Sequence, residues 1–366
     1  MKNTFGNSLQ ITIFGESHGS YIGAVLDGLA PGIKIDDDYI KSQLTLRRPA
    51  GKISTARVEA DEYEIVSGVF KGYTTGTPLT IIIPNKVQHS KDYDNIARVA
   101  RPGHADYTAY CKYHGYEDFR GGGHFSGRIT AAIVAAGAIC EMELKRKGIF
   151  MGTHIKSCGN ISDRDFVNIA SDITEANGKT FAVLDDEVAE KMLQYMESVA
   201  AEGDSVGGVL ETAIIGMPDG VGEPMFDTVE GILAHGLFAI PAIKGVQFGA
   251  GFDMVNEKGS AFNDQLRVVD DRVVSETNHN GGINGGITNG NAIIFRCAVK
   301  PTPSIYKQQR SVDFINKTNE DLVIEGRHDP AIIHRARVVV DSMTAIMIYD
   351  LLASRFGTDY FGDDRR

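Results

Sequence analysis

This 366-residue chain contains no tryptophan and few cysteines. The four cysteines are Cys111, Cys140, Cys158 and Cys297, and none has another close to it in the sequence. This spacing indicates neither a zinc site nor a disulfide framework, and it is typical of reduced thiols in a cytosolic protein. No apolar run approaches the length that spans a membrane, so we predict no membrane association.

The chain has fewer basic than acidic residues, which gives a formal net charge of -11. Such a balance argues against a nucleic-acid binder, since those domains are usually basic. The hydrophobic share of 42% and the absence of a linker predict one large domain over 1–366, with a frayed charged tail at 359–366. Residues 1–10 lack the apolar core of a secretory signal, so a cytoplasmic location is expected.

The stretch 101–128 stands out against this acidic background. It begins with the turn R-P-G-H and ends with three glycines at 121–123 and the run H-F-S-G-R. An alanine-rich segment at 129–140 follows, which predicts a glycine loop that leads into a helix N-terminus. Taken singly, the glycines fit a tight turn and the histidines fit structural roles. Together with arginines at both ends, they favour an anion site equipped for proton transfer.

Other glycine-containing loops carry cations or histidines. They lie at 15–19, 47–52 and 326–329, and an Asn/Gly-rich loop lies at 278–286. Each alone is also typical of a solvated or ion-paired surface turn. Convergence of the loops would create a positive pocket inside an acidic protein, suited to one or two small phosphorylated or carboxylated ligands.

Hydrophobic periodicity predicts a mixture of strands and helices. Strands are predicted at 11–14, 22–26, 62–70, 79–83, 150–158, 206–216 and 293–299. Helices are predicted at 36–46, 129–140, 185–201, 227–240 and 339–351. The polar segment 163–179 is predicted to be a peripheral excursion.

From these residues alone, we predict an enzyme that acts on an anionic, phosphorylated small molecule. His18, His104 and Asp329 are the candidates for proton transfer, because each sits in a glycine-containing loop beside an arginine or another polar side chain. No metal site is indicated.

The loops also carry a family resemblance. The strings G-E-S-H-G, R-R-P, R-P-G-H-A-D-Y-T, R-G-G-G…S-x-R, E-G-D-S-V-G-G, N-H-N-G-G-I-N-G-G, K-P-T-P-S-I and G-R-H-D-P occur in this order between residues 15 and 330. Together they resemble the chorismate synthase family, and flanking segments extend the similarity to nearly the whole chain. Each string alone is weak evidence, but the complete ordered set is very specific.

The resemblance implies a fold, a reaction and a cofactor. The fold is α+β, a single large domain with helices sandwiched between antiparallel β-sheets. The reaction is the 1,4-elimination of phosphate from 5-enolpyruvylshikimate 3-phosphate, which gives chorismate in the shikimate pathway to aromatic amino acids. It requires reduced FMN without net redox change. The resemblance further implies a homotetramer.

Roles for individual residues follow from the same resemblance. His18 would protonate the departing phosphate, His104 would act at the reduced flavin, and Asp329 would assist proton removal. Substrate anions would be held by Ser17, Arg47, Arg48, Arg128 and Arg327, because planar guanidinium suits phosphate and carboxylate. Flavin would be contacted by His124, Phe125, Ser126, Pro241, Ala242, Gly285, Lys300, Pro301, Thr302, Pro303, Ser304 and Arg327.

Some positions depart from the family pattern, and two other functions stay open. His124 stands where many members have arginine, and Lys52 is the nearest cation where many have a second arginine after R-R-P. Arg47 matches a position linked to NADP, so NADPH would be a second cofactor if the chain reduces its own flavin. A flavin reductase would need a nicotinamide-binding fingerprint that the sequence lacks. A non-catalytic binder of phosphate ligands would not require His18, His104 and Asp329 as a set.

Overall fold

The computed structural model describes residues 2–48, 61–86, 98–324 and 329–362. The strands are β1 (Thr4–Phe5), β2 (Gln10–Gly15), β3 (Tyr21–Asp27), β4 (Glu64–Ser67), β5 (Val69–Phe70), β6 (Tyr73–Thr74), β7 (Leu79–Pro84), β8 (Phe150–Cys158), β9 (Ile161–Ser162), β10 (Gly208–Ile215), β11 (Ile243–Phe248), β12 (Leu266–Val269), β13 (Arg272–Ser275), β14 (Ile283–Asn284), β15 (Ile287–Thr288), β16 (Ile293–Val299), β17 (Gln309–Asp313) and β18 (Thr318–Leu322). The helices are α1 (Asp37–Leu46), α2 (Asp106–Tyr113), α3 (Thr130–Arg146), α4 (Ile169–Gly178), α5 (Asp186–Ala201), α6 (Val229–Phe238), α7 (Gly259–Phe262) and α8 (Ile333–Phe356). None of the helices in these described ranges is long and apolar enough to cross a membrane.

Two antiparallel sheets enclose the central helices, which gives an α+β fold. The first sheet has the strand order β1-β2-β3-β7-β4, and the second has the order β11-β16-β10-β8-β9. Helix α3 packs on β3 and β7 of the first sheet, α8 packs on β8 and β10 of the second, and the two helices pack on each other. The predicted sandwich of helices between antiparallel sheets is confirmed.

Hydrophobic side chains at every second position of a strand give each sheet one apolar face, and this face packs against the central helices. In β3, Ile22, Ala24 and Leu26 are fully buried, and the register places Ile22 opposite Ile83 of β7. Side chains two residues apart lie on one face of a strand, so these residues cover the helices. Helix α3 comes close to α8 because it is rich in small residues. A Cβ added at Gly137 would lie 2.4 Å from the backbone oxygen of Ser342.

Several sequence predictions need correction. The segment 163–179 is not peripheral, because α4 lies within it and buries Ile173 and Ala176 against β8. Helix α2 was not predicted, because its sequence buries only Ala109 and therefore has no apolar stripe. The predicted frayed tail is wrong for Phe361, which is buried and stacks on Tyr349 with ring centroids 3.8 Å apart.

A buried ionic cluster on the second sheet was also missed. His154 of β8 is fully buried, and its Nδ1 and Nε2 each lie 3.0 Å from a carboxylate, that of Asp163 and that of Glu211 respectively. Burial alone would lower the pKa of His154, but the hydrogen bonds to the two carboxylates raise it. Both ring nitrogens therefore carry protons, and the imidazolium ties the segment after β9 to the sheet.

Replacing His154 with glutamine should lower the free energy of unfolding by about 3–5 kcal/mol, because it removes the buried cation that pairs with both Asp163 and Glu211, of which Glu211 keeps a second partner in Arg296. Since the pKa of His154 is raised in the folded chain, its contribution is complete below the ordinary histidine pKa and is lost as pH rises through the raised value. Urea unfolding from about pH 5 to about pH 9 should show this alkaline loss in the parent chain but not in the variant. Equal alkaline slopes would contradict the assignment.

Candidate active site

Both central helices begin at one cavity. The cavity has a volume of about 970 Å³, which is enough for two small ligands side by side. Its wall includes Ile129 and Thr130 at the start of α3 and Ile332 and Arg335 at the start of α8. A helix N-terminus carries unpaired N–H groups and partial positive charge, so two such ends favour an anionic ligand.

Most of the sequence-predicted site residues meet in this cavity. Those that line it are Ser17, His18, Arg47, Arg48, His104, His124, Phe125, Ser126, Arg128, Pro241, Ala242, Lys300, Thr302, Pro303, Ser304 and Asp329. They come from loops that follow different strands and helices, which explains why the motifs are scattered along the sequence.

Two of the predicted residues that the structure describes are not in the wall of the cavity. Arg327 and the rest of 325–328 lie outside the described residues, as does most of the predicted loop 47–52. Gly285 and Pro301 are not among the lining residues of the cavity. The Asn/Gly-rich loop that holds Gly285 instead bonds within its own region, because Asn280 donates to Asp264 Oδ2 at 2.8 Å.

Ser17 and His18 follow strand β2 and lie against the glycine run. The Ser17 hydroxyl donates to a backbone oxygen of this run, that of Gly121 at 3.0 Å. Its oxygen lies 3.0 Å from His18 Nδ1, so that nitrogen is the donor of the second hydrogen bond. The imidazole orientation is therefore fixed by Ser17, and a proton exchanged with a ligand would pass through Nε2.

The glycine run passes directly beside both candidate histidines. Gly121 has φ 59°, and a Cβ there would lie 2.2 Å from His18 Cε1. Gly122 has φ 83°, and a Cβ there would lie 3.3 Å from His104 Cε1. The triple glycine therefore serves backbone conformation and close ring packing at once.

His104 is held by an acidic partner at the start of α2. Its Nδ1 lies 2.6 Å from Asp106 Oδ1, and Asp106 also accepts from Arg101 Nη2 at 2.7 Å. Burial alone would raise the pKa of Asp106, but hydrogen bonds from Arg101 and His104 hold it well below its ordinary value. The carboxylate therefore keeps a proton on His104 Nδ1, which leaves Nε2 as the nitrogen for chemistry.

Replacing Asp106 with asparagine should lower kcat by about 10–100-fold with little change in KM, because an orienting partner acts through the ring it holds. Asparagine has nearly the size of aspartate, but without the carboxylate charge it no longer favours a proton on His104 Nδ1. Nitrogen NMR of the His104 ring should then show that the single Nδ1-protonated form is lost. Asp106→Glu is the control that keeps the charge, and it should recover part of the activity. An unchanged ring spectrum in the asparagine variant would refute the positioning role.

Two of the predicted substrate arginines share one buried carboxylate, which sequence reasoning missed. Asp61 Oδ2 lies 2.8 Å from Arg47 Nη2, and Asp61 Oδ1 pairs with Arg128 Nη1. The Asp61 side chain is 1% exposed, and burial alone would raise its pKa, yet the two guanidinium groups lower it. A weak sequence signal existed, since an acidic pair, Asp61-Glu62, follows the basic loop.

Arg335 is the second residue that the sequence did not reveal. It pairs with Asp329 through Nη1, and its Nε donates to the backbone oxygen of Arg47 at 2.8 Å. It therefore connects the start of α8 to Arg47, one of the two arginines that pair with Asp61. Its position in the first turn of a helix whose preceding loop carries Asp329 was the available signal.

The remaining wall combines apolar and hydrogen-bonding groups. His124 Nδ1 donates to the backbone oxygen of Gly15 at 2.7 Å, and Lys300 Nζ donates to that of Gly103. Apolar side chains in the wall include Ile133, Ile240, Ile243, Val339 and Met343. A site of this composition can hold a flat, partly apolar ring together with charged groups, and it can keep both from water.

Comparison with known proteins gives one family. The chorismate synthase family profile matches residues 9–353. Curated chorismate synthases of Pyrococcus abyssi and Lachnospira eligens are 43% and 45% identical to this chain, covering 96% of it and 97% and 94% of the relatives. A solved structure described as "Crystal Structure of Chorismate Synthase" aligns with a TM-score of 0.76 and 28% identity over 96% of this chain and 94% of its own.

Proposed function

We infer that this chain, which belongs to the chorismate synthase family, converts 5-enolpyruvylshikimate 3-phosphate to chorismate and phosphate. It is therefore a carbon–oxygen lyase of aromatic amino-acid biosynthesis. The observation that carries this conclusion is the match over nearly the whole chain, including the loops that line the cavity. The meeting of His18, His104 and Asp329 among arginines supports it independently.

Reduced FMN is the proposed cofactor, and the cavity fits it. The volume of about 970 Å³ exceeds what the small substrate needs, and the wall supplies both cations and apolar side chains. When bound, reduced FMN would lend electron density to the elimination and would end the cycle in its starting state. The residues proposed to hold it in the cavity are His124, Phe125, Ser126, Pro241, Ala242, Lys300, Thr302, Pro303 and Ser304.

The proposed substrate site uses the arginines. Arg47, Arg48 and Arg128 would bind the phosphate and the carboxylates, since a guanidinium presents paired donors to either group. They would also stabilise the negative charge that develops on the leaving phosphate. Arg327 remains a proposed contact from the family resemblance, and so do Gly285 and Pro301 for the flavin.

Proton transfer is assigned to three residues. His18 would donate a proton from Nε2 to the departing phosphate, because Ser17 already holds its Nδ1. His104 would keep the flavin in the right protonation state, oriented by Asp106. Asp329, which Arg335 holds at the cavity wall, would assist removal of the substrate proton.

An anaerobic assay tests the function. Purified chain, chemically reduced FMN and 5-enolpyruvylshikimate 3-phosphate are mixed, and phosphate release and diene absorbance are followed together. We expect both signals to appear only with reduced FMN and to vanish in air without a reductant. Turnover without flavin would refute the cofactor proposal. Tight binding of both ligands without either product would instead favour a binding protein.

Three further proposals have direct tests. Replacing the chemical reductant with NADPH shows whether the chain reduces its own flavin, as a bifunctional enzyme would. Light scattering tests the proposed homotetramer, which exposed apolar side chains such as Phe226, Phe252 and Val255 support. A cytoplasmic location fits the four free thiols, and cell fractionation tests it.

A further inference from the structure

Asp61 carries the opposite charge to the arginines of the cavity and is buried together with Arg47 and Arg128. It lies in the cavity wall, yet its side chain is 1% exposed. Each of its two oxygens faces a different guanidinium, Arg47 on one side and Arg128 on the other. The carboxylate thus occupies a position between two cations that suits an anionic ligand.

The wall around Asp61 carries an excess of positive charge. Among the described residues, the wall holds two further arginines, Arg48 and Arg335. With Arg47 and Arg128 they form the arginine cluster, whose four guanidinium groups outnumber the two carboxylates described in the wall, Asp61 and Asp329. Such a site would bind a phosphate dianion strongly and would release it slowly. A fixed carboxylate inside the arginine cluster reduces the net positive charge that any bound phosphate experiences.

We propose that Asp61 is an internal counter-ion that limits the affinity of the arginine cluster for phosphate, so that the phosphate product can leave. This inference rests on the proposed function, because it assigns the cluster to phosphate binding. In this proposed role, Asp61 contacts neither the reacting bonds of the substrate nor the flavin. It acts through Arg47 and Arg128, whose guanidinium groups it both orients and partly neutralises.

Binding of inorganic phosphate to the flavin-free chain tests the proposal without turnover. Asp61→Asn keeps the shape and removes the charge, and it should tighten phosphate binding by about tenfold or more, since one charge at such distances shifts ionic equilibria by that factor. Asp61→Glu keeps the charge and should bind phosphate as the parent chain does. Isothermal titration at two salt concentrations gives the affinities, and the gain should shrink at the higher one.

The matched control is Asp172→Asn. Asp172 is also buried and accepts two hydrogen bonds from one arginine, Arg164, at 2.8 and 3.0 Å, but it does not line the cavity. Its loss should leave phosphate affinity unchanged. Equal or weaker phosphate binding by Asp61→Asn would overturn the proposal, whether or not the chain is active in the elimination assay.

The effect of phosphate on the melting temperature tests the proposal even where Asp61→Asn destabilises the chain. If Asp61→Asn is destabilised, phosphate should raise its melting temperature more than it raises that of the parent chain, because the ligand replaces the missing carboxylate. A smaller or equal phosphate-induced shift would show that Asp61 is structural only. In turnover, the variant should show stronger inhibition by added phosphate, which a purely structural role would not produce.

Discussion

Alanine in place of His18 lowers kcat by about 10²–10⁴-fold, the usual contribution of a positioned proton donor. The reason is geometric. Ser17 accepts from Nδ1 at 3.0 Å and fixes the ring, so Nε2 is the nitrogen that can protonate a leaving phosphate. His18 as a residue is 5% exposed, so water does not easily replace its ring. Binding of the substrate should change much less than kcat, because the arginines remain.

The measurement is steady-state kinetics under anaerobic conditions with reduced FMN in excess. Added imidazole should restore part of the activity of His18→Ala, since it can occupy the vacated space and supply a proton. His279→Ala is the control, because His279 bonds to the backbone oxygen of Phe262 and does not line the cavity. If His18→Ala keeps kcat within a factor of about ten, the proton donor lies elsewhere.

Alanine in place of Gly121 should lower activity by about 100-fold or more, because small displacements of reacting groups have effects of that size. The new Cβ would lie 2.2 Å from His18 Cε1 and 2.5 Å from Ser17 Oγ, so both residues must shift. The residue also has φ 59°, which costs an L-amino acid about 1–2 kcal/mol.

A second glycine separates the steric effect from the backbone effect. Gly148 has φ 79°, a Cβ added there would have no neighbouring atom within 4 Å, and the residue lies outside the cavity wall. Gly148→Ala should therefore lose similar backbone stability but retain activity. Thermal unfolding and kcat are measured for both variants. Equal activity in the two would mean that the glycine run does not position His18.

The order of elements was accessible from the sequence because local patterns encode it. The alanine-rich segment after the glycines predicted α3, and periodicity predicted a helix at 185–201 where α5 covers Asp186–Ala201. Strand β11 was not predicted, because most of its residues are only half-buried and give weak alternation. Helix α2 was missed for the related reason that it has no apolar stripe.

The sequence predicted which loops form the cavity, but it did not predict which side chains pair with each other inside it. Most of the site residues predicted from the family resemblance line the cavity, including all three proposed proton-transfer groups. The family motifs did not reveal Asp61, whose partner Arg128 is 67 positions away. Nor did they show that Asp106 holds His104, although both lie in the same motif, because only the start of α2 turns the carboxylate towards the ring.

The sequence by itself therefore determined which residues are present for chemistry: histidines, arginines and glycines in loops between periodic segments. The tertiary structure alone decided which charges neutralise one another and which loops meet. It joined Asp61 to two arginines and kept the Asn/Gly-rich loop out of the cavity wall. The physical reason is that propensity and periodicity act over a few residues. Ion pairing and burial depend instead on distances that are fixed only when the sheets and helices pack.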